Sequence, residues 1–210
     1  MKLTTFHSLI GAAALAALVI PSALAEDSNS AKTHQVKMRF SGTEETSATN
    51  LLPNDTSTSP DENHFMGKGT LGSFTVLLFR AVDINPSPSS SCSGSNYYYF
   101  EELAGGGVFR FDDGSLLYLN LTKGSDCVNV AANDAHCTLI LRITGGTGRF
   151  KNASGVLTMT STVVPVLNAP PNNPNNPVVF AATGEFTGTI SGVCDEEERP
   201  DDLLRPPLAA

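Results

Sequence analysis

The run Thr144-Gly145-Gly146-Thr147-Gly148-Arg149-Phe150-Lys151 comes nearest to a chemical motif in this chain. Glycines at this density let backbone N–H groups crowd a phosphate, and the dinucleotide fingerprint G-x-G-x-x-G does so where a helix begins. Counted from Gly146 and Gly148, the third glycine falls on Lys151. A β-branched, Thr-rich run, Val156 to Val164, follows where a helix is required. The phosphate-loop ending Gly-Lys-Ser/Thr is missing as well. No nucleotide or other cofactor is therefore expected. Gly145, Gly146, Gly148 and Gly155 are read as a structural turn, with one short helical turn over Arg149 to Ala153.

Other chemistry is thinner. No Gly-x-Ser-x-Gly elbow and no ordered Ser, His and Asp set points to a hydrolase, so no catalytic residue is assigned. His136 beside Cys137 invites a zinc site, but no Cys-x-x-Cys is present and the other histidines are scattered, so no metal is expected. His64 and His136 read as loop residues. Three side chains of one predicted strand are candidates for ligand contact. Tyr97 and Tyr99 could line a cavity mouth, and Glu101 would matter if it pointed inward. Arg142, out of phase with Leu139, Leu141 and Ile143, is expected on the solvent face.

The elements that must position these groups are strands. Val36, Met38 and Phe40 alternate with polar residues from His34, the period of a half-buried strand. Residues 43–63, rich in Thr, Ser, Asn, Asp and Pro, are expected to form a long loop. Phe65 to Ile84 reads as a strand pair or one long bent strand. Tyr97–Glu102 and Gly105–Phe111 read as two short strands, and Asp112-Asp113-Gly114 as a hairpin turn leading to Ser115–Leu121. Thr138–Thr144, Val156–Val164 and Val178–Ile190 follow, with an irregular Pro- and Asn-rich insertion at 165–177. The sum is about eight strands with Gly-rich turns, an all-β antiparallel barrel, or alternatively a β-sandwich.

Residues 1–25 carry Lys2, an apolar run from Leu9 to Ile20 and the small-residue ending Ala23-Leu24-Ala25, the pattern of a secretory signal peptide cut after Ala25. The reading that follows is a flexible arm at 26–33, a barrel domain at 34–194 and an acidic disordered tail at 195–210, secreted or periplasmic in location. With a formal net charge of -8 and no basic cluster, neither nucleic acid nor an anionic membrane surface is an expected partner. An even number of cysteines in an exported chain argues for disulfides, although more than one connectivity is open. The preferred pairing joins Cys127 to Cys137 across the loop between two predicted strands, which leaves Cys92 with Cys194 by elimination.

The segment Ile143 to Gly155 resembles the GGTG-x-F-x-x-A-x-G signature of the allene oxide cyclase and dirigent superfamily, whose members are eight-stranded β-barrels. Phe109 to Leu116 is similar to that family's hairpin and Gly184 to Gly192 to its closing strand, while Ser154 stands where such chains commonly carry Arg. The resemblance implies a barrel with a central cavity, and allows self-association as in the plant relatives. Three readings follow from it. The interior could hold a small apolar or aromatic molecule in a non-catalytic carrier, or in an isomerase or cyclase that works by confinement. Alternatively, the barrel is filled and serves as an extracellular interaction domain.

Overall fold

The computed structural model describes residues 32–87, 92, 96–169 and 177–194. The expected leader at 1–25, residues 26–31 of the expected arm, the acidic tail and residues 170–176 of the insertion lie outside them. Eight strands form the molecule: β1 Thr33–Thr46, β2 Thr58–Gly69, β3 Gly72–Asp83, β4 Tyr97–Phe111, β5 Leu116–Asn129, β6 Asp134–Gly146, β7 Ser154–Asn168 and β8 Pro177–Ser191. Each pairs antiparallel with its neighbour in sequence, and β1 pairs with β8 to close the barrel.

Alternation builds the interior. Val36, Met38 and Phe40 from β1, Phe74, Val76 and Leu78 from β3, and Leu139, Leu141 and Ile143 from β6 are all buried, while their sequence neighbours mostly turn outward. Aromatic rings fill one half of the barrel. Phe40 stacks on Phe65 with centroids 4.5 Å apart, and Phe186 packs against Phe109 at 4.9 Å. Each such ring contributes roughly 1.5–3 kcal/mol by leaving water.

The glycine-rich turn seals this filled end. After β6 a single 3-10 turn, Gly148–Phe150, places Phe150 fully buried against Phe111, with centroids 4.7 Å apart. Arg149 lies over both rings, donates from Nη2 to the Leu71 carbonyl at 2.5 Å and pairs with Asp113 at 3.1 Å. At Gly148 and Gly155 contact and conformation both require glycine. A Cβ on Gly148 would stand 2.3 Å from Ser115 Oγ, and one on Gly155 would stand 2.1 Å from the Thr189 carbonyl oxygen. Both also take positive φ, +57° and +147°.

Several boundaries differ from the sequence reading, for physical reasons. The expected loop at 43–63 shrinks to residues 47–57, because β1 runs on to Thr46 and β2 starts at Thr58. Inward positions there are Glu44, Asp61 and Asn63, so polarity hid the strand period. The two short strands around Ala104 are one strand, β4, with a bulge opposite Ala81 and Val82. His64 lies in β2 and His136 in β6, not in loops. Pro165 belongs to β7, which continues to Asn168 through two register irregularities, the place where a proline without N–H fits a ladder.

The cysteine pairing also requires correction. Cys92 is bonded to Cys127, with Cα atoms 5.5 Å apart, and Cys137 and Cys194 are free thiols. Cys127 faces His136 across the β5–β6 ladder, whereas Cys137 faces Asp126. That one-residue offset puts the two side chains on opposite sides of the barrel wall, Cys137 inside. A disulfide is compatible with an oxidising location.

Candidate functional site

Towards the other end the packing changes character. One step along β3 beyond Leu78, the inward position is Arg80, whose side chain is 1 % exposed. Four neighbouring strands turn carboxylates onto it. Its Nη1 donates to Glu102 of β4 and lies 3.3 Å from Asp126 Oδ2 of β5, while Nη2 lies 2.5 Å from Glu44 Oε1 of β1 and 3.8 Å from Asp61 Oδ2 of β2. Asn63, fully buried, donates from Nδ2 to Glu44 Oε2 at 2.7 Å. The ladder explains the convergence, since Asp61 is registered with Arg80, and Asp126 with Cys137.

Burial controls the charge of this cluster. Desolvation pushes Glu44 up to about 7 and Asp61 up to about 6; Arg80 opposes the rise, and the neighbouring carboxylates add to it. Glu102 rises well above the usual carboxylate range for the same reasons. Burial would discharge Arg80, but Glu102, Glu44 and Asp126 together outweigh it and hold the guanidinium charged. The Cys137 thiol is pushed up, first by burial and then by Asp126 and Glu44, so it is an unreactive neutral thiol.

Above the cluster the barrel is open. A cavity of about 600 Å³ has Glu44, Asp61 and Asp126 on its floor side and Val82, Phe100, Val128, Val163 and Phe180 among its apolar walls. Val130, an exposed apolar side chain, also borders it, and Val166 and Leu167 are exposed just beyond its Pro165 wall. The space can accept a molecule with an apolar body and a polar end.

Tyr97, Tyr99 and Glu101 do not contribute to this wall. They occupy alternate positions of β4 with Glu101 exposed, whereas Phe100 lines the cavity and Glu102 is buried beside Arg80. Tyr97 instead packs near His136, with ring centroids 6.3 Å apart. Gly145, Gly146, Gly148 and Gly155 belong to the sealed end, and Arg142 is exposed. The sequence did hold one signal for the missed residues: Arg80 is in phase with Phe74, Val76 and Leu78, a charge within an apolar stripe.

Glu45, at the edge of the cavity, and Glu62 and His64, which do not line it, bring ligand atoms within 4.8 Å of one another, a set that could hold a metal ion. His64 Nε2 already meets Glu62 Oε1 at 2.8 Å, and Ser47 Oγ donates to Glu62 Oε2 at 2.7 Å. Glu62 and His64 are thus already engaged with each other, and the group carries no assignment.

No protein-family model matches the chain, and no curated protein is significantly similar to it. What defines the molecule is its class: a closed, eight-stranded, antiparallel β-barrel, packed at one end and hollow at the other.

Proposed function

We propose that this barrel holds a small molecule with an apolar or aromatic body, taken up through the open end, as a carrier or as a confinement-type isomerase or cyclase of the kind implied by the allene oxide cyclase and dirigent resemblance. The cavity carries the reading. Its volume of about 600 Å³ lies within the range of roughly 300–1,000 Å³ that small-molecule pockets occupy. A barrel packed from end to end would suit an interaction domain better. Export through the leader at residues 1–25 belongs to this proposal, and the Cys92–Cys127 bond is compatible with it.

One observation favours the catalytic version over simple carriage. Glu44 lines the cavity, and burial pushes it up to about 7, a value that suits a general acid or base. Confinement and exclusion of water would supply the rest of such catalysis.

A thermal-shift screen of apolar and aromatic compounds tests the reading. A ligand at a hundred times its dissociation constant should stabilise the fold by about 2.7 kcal/mol. Absence of any shift across the screen would reject an interior ligand. Conversion of a hit on incubation would make the protein an enzyme, and its quantitative recovery unchanged would make it a carrier.

A further inference from the structure

We infer that the cavity's ligand is an organic cation, an ammonium group on an apolar body, seated with its charge towards Asp61 and Asp126. This rests on the interior-ligand reading and narrows it. The wall composition is the first ground. Glu44, Glu45, Asp61, Asp126 and Asp134 line the cavity, and among the described residues no Lys, Arg or His does. The nearby cation, Arg80, lies beneath the wall and is committed to Glu102 and Glu44. Asp126 at 3.3 Å and Asp61 at 3.8 Å take only its longer contacts.

Unsatisfied atoms supply the second ground. Glu102, 4 % exposed, keeps Oε2 without a hydrogen-bond partner, and fully buried Asn63 keeps Oδ1 without one. Asp134, on the cavity wall, has a buried Oδ1 in the same condition. Asn63 Oδ1 and Asp134 Oδ1 are acceptors that call for a donor; the donors left over beside the cluster are Arg80 Nε and Nη2, and Nη2 is already ion-paired with Glu44. An ammonium in the cavity brings donors to the wall carboxylates Asp61, Asp126 and Asp134, and positive charge to a floor where one guanidinium faces four carboxyl groups. A carboxylate ligand would add negative charge where acidic groups already outnumber the one guanidinium. A bare metal ion would leave Val82, Phe100, Val128 and Phe180 without a partner.

Matched probes separate this inference from the reading beneath it. Octylamine, octanol and octanoate, and phenethylamine, phenethyl alcohol and phenylacetate, would be titrated calorimetrically at about pH 8, where the amines are charged, with calcium chloride as a further arm. The amine of at least one series should bind about tenfold or more tightly than its alcohol, with no binding of the carboxylate. An alcohol or carboxylate binding as tightly as the amine would overturn the cation and leave the interior ligand standing. Calcium that binds and displaces the amine would also overturn the organic cation. Failure of every organic probe would count against both.

Asp126→Asn and Asp61→Asn should each fold, because each removes a carboxylate present in excess, and each should weaken the amine about tenfold or more while leaving the alcohol unchanged. Equal loss for amine and alcohol would make the role merely structural and sink the assignment. Lowering the pH from about 8 to about 5 should weaken the amine as Glu44 and Asp61 take up protons. The titratable groups facing that site are Glu44, Glu45, Asp61, Arg80, Glu102, Asp126, Asp134 and Cys137 from β1 to β6; β7 and β8 contribute none among the described residues. An affinity indifferent to pH over this interval would overturn the proposal.

Discussion

Arg80 Nη2 lies 2.5 Å from Glu44 Oε1, yet the carboxyl of that ion pair titrates near neutrality, because burial outweighs the attraction of the guanidinium. Stability must therefore depend on pH in an unusual direction. Glu44 rises from 4.5 to about 7 and Asp61 from 3.8 to about 6, so the folded chain holds these protons more tightly than the unfolded one. Their contribution is complete below about pH 4, is lost as pH climbs through 6 to 7, and stays lost above. For Glu44 alone the loss is on the order of 3 kcal/mol. Urea unfolding between about pH 4 and pH 8 should show stability declining across this window, and Glu44→Gln should flatten the profile. A midpoint that climbs steadily to pH 8 in the unsubstituted protein would contradict the burial of this cluster.

Arg80→Met should destabilise by about 3–5 kcal/mol at neutral pH, since it strands fully buried Glu102 and three carboxyl groups that are mostly buried. The cost should shrink at about pH 5, where those groups can take protons. Chemical denaturation of the variant at both pH values, each compared with the unsubstituted chain, checks this.

Counting thiols tests the disulfide. Without reductant, the native protein should react with Ellman's reagent at Cys194, which is exposed, and only after unfolding at Cys137 as well. The pairing expected from sequence would leave no thiol in either state. Reducing Cys92–Cys127, which spans 35 residues, should cost about 3–4 kcal/mol by releasing the unfolded chain.

Gly155→Ala should cost about 2 kcal/mol or more, because its Cβ would meet the Thr189 carbonyl at 2.1 Å with φ at +147°. Ser154→Ala, one residue away and exposed, should change stability by no more than about 0.5 kcal/mol. Equal effects would remove the steric argument for the turn.

Glu101 and Glu102 mark where the sequence stopped being readable. Adjacent in the chain, they lie on opposite sides of the wall, and the bulge beside Ala104 decides which one enters the barrel. Period-two alternation of apolar residues made β1, β3 and β6 legible at their packed ends, and the Gly148 turn declared itself through glycine spacing. The hollow end was illegible because its inward residues, Glu44, Asp61 and Asp126, are charged. Alternation of polar with polar has no visible period. Arg80 was the exception, a cation in step with an apolar stripe, and following it across the ladder to Asp61 would have led to the floor of the cavity.

β1 is hydrogen-bonded to β2 along one edge and to β8 along the other, with Thr33 opposite Ser191. Around the ring, then, no strand is first. Seven of the junctions join strands consecutive in sequence, and the eighth is a seam between strands at opposite ends of the domain. Loop-closure entropy is greatest at that seam, so ring closure is the late and slow event of folding, and a chain halted before it would present two open sheet edges to its neighbours. The same connectivity makes the domain cyclic in design: cut at the Asp112-Asp113-Gly114 turn and spliced from residue 191 to residue 33, it would keep every strand pair while moving the seam to the β4–β5 junction.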